Sequence, residues 1–179
     1  MRYPVSAHVA GQKEANPMRI TGHLNVTAEE FFAKVDEALL TDIATARGKK
    51  AKPSNLHEGF TYKKFLRGKA DPVHAATVRI VAYDRPLTYR SSITTEQGES
   101  LMGYDVVSSG EGIDVTYVEE FKAAGGLKSL FARVVAPFQA LGARGRVRSQ
   151  LQAMEGRIIA DRYPDPDGKD ASDGAEDAA

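Results

Sequence analysis

The stretch LKSLFARVVAPFQALGARGRVRSQLQAMEGRIIAD, residues 127–161, decides how this chain folds. Its apolar residues recur at steps of three and four, the spacing of one long amphipathic helix; they are Leu127, Leu130, Phe131, Val134, Phe138, Leu141, Leu151, Met154 and Ile158. Pro137 removes one backbone hydrogen bond inside this segment, so we expect either a kink or two helical pieces.

Six strand-like segments precede the long helix, and a shorter helix follows the first of them. The segment Met18–Val26 alternates apolar and polar residues, as a half-buried strand does. Thr27 and Glu30 can form a capping box, which starts a helix over Ala28–Ala46. Five further strands are predicted over Gly59–Leu66, Ala75–Tyr83, Leu87–Thr95, Glu99–Val107 and Ile113–Phe121.

The five later strands are separated by short segments rich in Gly, Asp and Pro, which favours antiparallel hairpins. Parallel pairing would need helical crossovers, and these segments are too short to hold them. The sequence therefore predicts an α+β fold with one helix after the first strand. A curved antiparallel sheet of about six strands wraps around the long C-terminal helix.

Residues 17–162 form one predicted domain, and a length of 179 residues is enough to bury a sizeable core. Residues 1–16 show no usable periodicity, so we expect a loose N-terminal extension. Residues 163–179 contain six acidic residues, one lysine and no large aliphatic residue. Such a segment buries too little surface to offset its chain entropy, so we expect a disordered acidic tail.

Composition excludes several classes of function. The formal net charge is zero, so no specific nucleic-acid partner is predicted. The chain has no cysteine, which rules out disulfides, thiolate catalysis and cysteine zinc sites. Neither a transmembrane segment nor a signal peptide is recognisable, and we expect a cytoplasmic protein. No metal or cofactor is predicted, because none of the histidines has a partner at ligand spacing; they are His8, His23, His57 and His74.

No motif with a specific catalytic mechanism is present, so no catalytic residue is assigned. The predicted inner faces of the strands nevertheless carry polar groups, namely Tyr62, Tyr89, Ser91, Tyr104, Tyr117 and Glu119. The candidate ligand-binding residues are the four tyrosines and Glu119, together with Phe131 and Phe138 of the long helix. In one interpretation these residues line a mostly apolar pocket whose polar groups orient a ligand. In the other, the tyrosines fill the core and Glu119 lies at a solvated rim; a single bulge would exchange it for Glu120.

The long helix is basic, with seven basic and two acidic residues through Arg162. Arg133, Arg144 and Arg148 fall on one side of it, since steps of eleven and four return to the same face. Arg144 and Arg148 are therefore a candidate site for an acidic partner. The alternative is a solvated face, which the acidic segment 163–179 can screen within the same chain.

Several stretches of the chain resemble the START/Bet v 1-like (SRPBCC) superfamily, which has the helix-grip fold. Within that superfamily, the chain resembles a small uncharacterised bacterial family of unknown function. The resemblance covers about Met18 to Asp161. The matching stretches are Val26-Thr27-Ala28-Glu29-Glu30-Phe31-Phe32, Leu39-Leu40-Thr41-Asp42-Ile43, Gly59-Phe60-Thr61-Tyr62-Lys63-Lys64-Phe65 and Val115-Thr116-Tyr117-Val118-Glu119-Glu120.

The resemblance implies hydrophobic ligands such as lipids, sterols or polyketides, held between the sheet and the C-terminal helix. Some members of the superfamily are cyclases or hydrolases and others bind proteins, so the resemblance is compatible with these functions as well. The chain departs from the larger members by having one helix after the first strand and by Pro137 in the terminal helix.

Three functional hypotheses follow. The first is non-catalytic binding of a small hydrophobic or amphipathic ligand. The second is an enzyme acting on such a ligand with Glu119 as general acid or base, since burial raises the pKa of a carboxylic acid. The third is a protein-interaction adaptor that uses the basic helix.

Overall fold

The computed structural model describes residues 17–66, 74–124 and 130–163; the side chains of residues 74, 123 and 130–143 lie outside the description. The described chain forms, in order, β1 (Met18–Leu24), α1 (Ala28–Arg47), a 3₁₀ turn (Pro53–Asn55), β2 (Thr61–Leu66), β3 (His74–Asp84), β4 (Thr88–Thr95), β5 (Gly98–Ser109), β6 (Gly112–Ala123) and α2 (Leu130–Arg162). The predicted extension, residues 1–16, lies outside these ranges, and so does the predicted acidic tail except for Tyr163.

The strands form one six-stranded sheet in the order β1-β6-β5-β4-β3-β2. All five pairings are antiparallel, and β2 to β6 follow one another as hairpins. The predicted α+β fold is confirmed, with its antiparallel meander and one α-helix after the first strand. Only the 3₁₀ turn Pro53–Asn55 adds helical structure between that helix and β2.

Helix α1 begins and ends at the residues that its sequence marks. The side chain of Thr27 accepts a hydrogen bond from the backbone N–H of Glu30, and Glu30 Oε2 accepts one from the backbone N–H of Thr27. Gly48 ends the helix at a φ of 62°, a left-handed conformation that glycine adopts without a steric penalty. The predicted capping box is therefore confirmed.

Helix α2 runs as one helix from Leu130 to Arg162 and passes through Pro137, so the predicted alternative of two helical pieces is wrong. Its second half contacts β1 and α1 through Val147, Leu151 and Ile158, which are buried at steps of four and seven. Gly22 makes the close approach to β1 feasible. A Cβ atom at that position would lie 3.2 Å from Leu151 Cδ1.

Strand β3 contains one irregularity. Strict alternation would place Ala82 on the same face as Val78 and Ile80, but the pairing with β4 shifts register between Ile80 and Ala82. A bulge places one extra residue in a strand and reverses the alternation beyond it. Ala82 consequently pairs with Arg90, and Tyr83 takes its place on the inner face opposite Tyr89.

The core lies between the inner face of the sheet and the two helices. Its most deeply buried side chains come from both ends of α1, from the segment just before it and from the strands beneath it; they are Phe31, Phe32, Leu24, Ile43, Ile80, Ile113, Val26 and Val115. Phe31 and Phe32 both belong to α1, so α1 covers one part of the inner face of the sheet. The remainder of that face is the candidate site.

Candidate functional site

A row of four tyrosines crosses the inner face of the sheet. Tyr117 of β6 is opposite Tyr104 of β5, which is opposite Tyr89 of β4, and Tyr83 of β3 completes the row. In-register residues of neighbouring strands project to the same face, so the four side chains are neighbours. The Tyr104 and Tyr117 ring centroids lie 5.7 Å apart, and Phe31 of α1 meets Tyr104 edge-on at 5.5 Å. We call these four residues the tyrosine row.

Two further rows lie beside the tyrosine row, toward the β4–β5 turn. One joins Glu119, Met102, Ser91 and Ile80, and the next joins Phe121, Ser100, Ile93, Val78 and Tyr62. Burial in the second of these rows falls from β2 toward β6. Tyr62 and Val78 are 5% and 3% exposed, Ile93 and Ser100 are half-buried, and Phe121 is 53% exposed. From the tyrosine row to the β4–β5 turn, the inner face therefore has a closed half on β2 and β3 and an open half that extends from Ile93 of β4 across β5 and β6. On the other side of the tyrosine row the inner face of β5 and β6 is buried, as Val106 and Val115 show.

The closed half is locked to α1 by hydrogen bonds. The Tyr62 hydroxyl donates to Asp42 Oδ2, and Lys64 Nζ lies 2.9 and 3.0 Å from the two oxygens of the same carboxylate. Burial raises the pKa of Tyr62, and the nearby Asp42 carboxylate raises it further. The structure places the hydroxyl of Tyr62, one of the predicted ligand-binding residues, in a hydrogen bond that joins β2 to α1; ligand contact by Tyr62 remains a prediction.

A second lock joins α1 to the bulged end of β3. Tyr83 Oη donates to Asp36 Oδ1 at 2.8 Å, and Arg85 Nε lies 3.2 Å from Asp36 Oδ2. Burial raises the pKa of Tyr83 to about 12, and the hydrogen bond to Asp36 acts in the same direction. Tyr83 was absent from the predicted site residues, because only the bulge turns it inward.

Tyr89 and Tyr104 lie in the middle of the tyrosine row. Tyr89 is buried, and that burial raises the pKa of its phenol to about 12, with the Ser91 hydroxyl acting in the opposite direction. Burial also raises the pKa of Tyr104, although its side chain is only half-buried in total. Among the described side chains, none hydrogen-bonds to the Tyr104 hydroxyl. Tyr104 consequently offers a polar group at the boundary between the closed and open halves.

The open half contains one hydrogen-bonded polar pair, Tyr117 with Glu119. Tyr117 Oη donates to Glu119 Oε2 at 3.2 Å, and both side chains are half-buried. Burial raises the pKa of Tyr117, and the charge of Glu119 adds to that rise. No register shift occurs in β6, so Glu119 shares the face of Tyr117 and Val115, as predicted, and Glu120 points to the outer face.

Sequence reasoning missed three apolar or small residues that complete the open half. Met102, Ile93 and Ser100 lie beside Glu119 and Phe121 in the two rows described above. Alternation puts them on the same faces as Tyr89 and Tyr104, but nothing in their residue type distinguishes them from ordinary core residues. Phe131 and Phe138 of α2, the other two predicted ligand-binding residues, have side chains outside the described part of the structure.

The basic face of α2 is solvent-exposed where the structure describes it. Arg144 and Arg148 are exposed, and within the described residues no acidic side chain pairs with them. The side chain of Arg133 lies outside the description. The binding of an acidic partner at Arg144 and Arg148 remains a prediction.

The end of α2 is fixed to α1 by two ion pairs beside a groove of about 260 Å³. Arg162 contacts both oxygens of Glu30 at 2.6 Å, and Lys34 Nζ lies 2.7 Å from Asp161. The hydrogen bond from Arg162, with those from Thr27, lowers the pKa of Glu30 to about 2. We call the two ion pairs, Arg162 with Glu30 and Lys34 with Asp161, the helix clasp; together they hold the end of α2 against α1.

Two classes of site are missing from the part of the chain that the structure covers. Residues 17–66, 74–124 and 130–163 contain no group of three His, Asp or Glu side chains that could hold a metal ion. In the same ranges, no helix combines the length and the apolar character needed to cross a bilayer.

Residues 18–139 match the model of a family described as a domain of unknown function, DUF3284. The chain belongs to this family. No curated protein matches it in sequence.

Among solved structures the fold is similar to Ara h 8.0201, a Bet v 1 homologue, with a TM-score of 0.52 and 12% identity over 81% of this chain and 98% of the other. It is also similar to the Bacillus halodurans protein BH1534, with a TM-score of 0.54 and 14% identity over 80% and 99% of the two chains. The crystal structure of TTHA0849 from Thermus thermophilus gives a TM-score of 0.53 and 11% identity over 82% and 99%. At these identities the likeness shows the fold, and this DUF3284 chain has a Bet v 1-like helix-grip fold, as the resemblance implied.

Proposed function

We propose that this DUF3284 protein binds a small hydrophobic or amphipathic molecule on the open half of the inner face, beneath the C-terminal helix, without transforming it. The observation that carries the proposal is the fall in burial along an in-register row of one continuous sheet. Tyr62, which donates a hydrogen bond to Asp42 of α1, and Val78 are buried, whereas Phe121, on the same row, is 53% exposed. A large aromatic side chain exposed on a concave apolar face gains free energy when a ligand covers it.

The dimensions of the open half suit a small molecule. Three strands, β4 to β6, span roughly 10 Å across the sheet, and the residues from Tyr104 to Ser100 span roughly 14 Å along it. Such an area accommodates a medium-length alkyl chain or a small ring system. The lining combines apolar side chains with a few hydroxyl and carboxylate groups, the composition typical of a small-molecule site.

The fold supports the same function. The Bet v 1-like fold commonly binds hydrophobic ligands, and a sheet curved around a helix provides the concave surface that such ligands need. The chain adds its own polar groups to that surface, namely the hydroxyls of Tyr104 and Tyr117, the hydroxyl of Ser100 and the carboxylate of Glu119. These groups would fix the orientation of a bound molecule, since their geometry is set by rigid strands.

Native mass spectrometry of freshly purified protein tests the proposal first. We expect an additional mass of a few hundred daltons that disappears on denaturation, which is the range of small hydrophobic molecules. Binding of the neutral fluorescent probe N-phenyl-1-naphthylamine then gives an affinity. Protein that binds no copurifying molecule and no probe would contradict the proposal.

A matched pair of variants locates the site. Met102→Trp fills the open half, and Leu101→Trp places the same side chain on the outer face of the same strand, because adjacent residues point to opposite faces. We expect Met102→Trp to weaken probe binding by an order of magnitude or more, as overfilled sites do. Leu101→Trp should bind like the wild type, and the melting temperatures of both confirm that they are folded.

The hydrogen bond between Tyr117 and Glu119 favours one second candidate, an enzyme that uses Glu119 as general acid or base. Glu119→Gln separates the two functions once a ligand has been identified. Loss of turnover with unchanged ligand affinity would establish catalysis. Unchanged chemical identity of the ligand after prolonged incubation with the wild type would establish binding alone.

A further inference from the structure

We propose that the open half selects its ligand by charge, accepting a neutral or cationic amphiphile such as a long-chain alcohol or amine and rejecting a fatty-acid anion, and that Glu119 sets this preference. The inference rests on the proposed function and names the ligand class of the same site. It follows from where the described charges lie on the inner face of the sheet.

Two inward-facing strand residues carry a charge within the described ranges, Glu119 on β6 and Lys64 on β2. Lys64 is neutralised, because both oxygens of Asp42 lie within 3.0 Å of its Nζ atom. It also lies on the far edge of the sheet, four strand spacings or roughly 19 Å from β6. The described lining of the open half therefore carries a negative charge and no compensating cation.

The local geometry of Glu119 leaves it able to bind a ligand group. Tyr117 Oη donates one hydrogen bond to Oε2 at 3.2 Å. A carboxylate has about four acceptor positions, so Glu119 keeps capacity for a hydroxyl or ammonium donor. The in-register neighbours of Glu119 are Met18 on β1 and Met102 on β5, so an apolar residue flanks the glutamate on each adjacent strand. Low local polarity strengthens both attraction to a cation and repulsion of an anion.

The tyrosine row adds hydroxyl donors, which are neutral and therefore do not offset the negative charge of Glu119. A tyrosine hydroxyl can satisfy either a neutral hydroxyl or a carboxylate, so Tyr104 does not discriminate between ligand classes. A carboxylate ligand next to Glu119 would place two like charges in a partly desolvated site, which is unfavourable unless one of them takes up a proton. An ammonium or hydroxyl head group meets no such penalty.

The experiment compares three amphiphiles with the same alkyl chain, dodecylamine, dodecanol and dodecanoate, each used to displace N-phenyl-1-naphthylamine at neutral pH. The amine and dodecanoate are kept below their critical micelle concentrations, and dodecanol is kept below its solubility limit. We expect the amine and the alcohol to displace the probe at concentrations lower than dodecanoate by on the order of tenfold, the ratio that about 1.4 kcal/mol produces. Dodecanoate that displaces the probe as well as the other two would overturn the inference.

Variants assign the preference to one side chain. Glu119→Gln should bring the three displacement curves together, and Glu119→Lys should reverse their order. Glu120→Gln is the matched control, because Glu120 is the next residue of β6 but points to the outer face near Lys122 Nζ at 3.5 Å. A Glu119→Gln or Glu119→Lys protein with the wild-type order would refute the role of Glu119.

The same measurements distinguish failure of this inference from failure of the proposed function. Probe binding with an unexpected order of amphiphiles contradicts only the charge preference. Absence of any probe binding to the folded wild-type protein contradicts the proposed function, and the charge preference with it. Melting temperatures of wild type and variants show in each case that the protein is folded.

Discussion

The closed and open halves of the inner face belong to one sheet and share its rows, yet they differ in what covers them. In the closed half, α1 packs against β2, and its carboxylates satisfy the polar groups of Tyr62, Lys64 and Tyr83. In the open half, Tyr117 and Glu119 remain half-buried. Side chains of the same type therefore serve stability on one side and, in the function that we propose, contact a ligand on the other.

Truncating one isoleucine in each half should give the largest difference between the halves in the free energy of unfolding. Ile80 is fully buried in the closed half, and Ile93 is half-buried on the adjacent strand and the same face. We expect Ile80→Ala to lower the free energy of unfolding by about 2–5 kcal/mol, because it leaves a cavity that cannot fill with solvent. Ile93→Ala should cost about half of that or less. Urea unfolding measures both, and equal losses would contradict the division of the face.

Alkaline pH provides the next test. Burial raises the pKa of Tyr89 from its ordinary 10.0 to about 12, so the folded chain holds this proton more tightly than the unfolded chain. The contribution of Tyr89 to the free energy of unfolding is fully present below pH 10. It is lost as the pH rises from about 10 to about 12, a change of about 2–3 kcal/mol. Urea unfolding across this window should show a flatter pH dependence for Tyr89→Phe. The exposed Tyr163→Phe serves as control and should follow the wild type.

Removal of single hydroxyls should separate the halves by a smaller amount. Tyr62→Phe deletes a donor to Asp42 in the closed half, and we expect a loss of about 1 kcal/mol of unfolding free energy. Tyr104→Phe removes a hydroxyl that no described side chain hydrogen-bonds, and its stability should stay within about 0.5 kcal/mol of the wild type. The opposite ranking in urea unfolding would show that Tyr104, and not Tyr62, is the structural tyrosine.

The helix clasp should contribute the least, because its ion pairs are partly exposed. The pKa of Glu30 is lowered to about 2, so its stabilising effect is present above about pH 4.5 and is lost as the pH falls towards 2. Glu30→Gln should therefore be slightly less stable than the wild type at neutral pH and equal to it near pH 2. A difference that grows on acidification would contradict this assignment.

Local patterns predicted the fold well because each element is specified by residues close in sequence. Thr27 and Glu30 fix the start of α1, and short Gly- and Pro-containing turns make the hairpins the feasible pairing. Alternation also placed Tyr117 and Glu119 on one face of β6, as the structure does. The strands of the structure begin and end within a few residues of the predicted positions.

What sequence could not provide was the position of α1 over the sheet. Tyr62 and Tyr104 have the same residue type and the same inward alternation, and only the contact of Tyr62 with Asp42 separates a locked side chain from an available one. That contact joins residues twenty positions apart on different elements. The bulge after Ile80, which brings Tyr83 inward, likewise has no signature in residue type.

Chemical-shift mapping by NMR with dodecanol, the neutral amphiphile, tests most directly whether the open half is a binding surface. We predict saturable shifts that are largest at the backbone amides of Met102, Tyr104, Tyr117 and Glu119, with little change at Ile80. Saturable shifts centred on the exposed outer-face residues Phe65 and Val107, or no saturable shift at any amide, would contradict it.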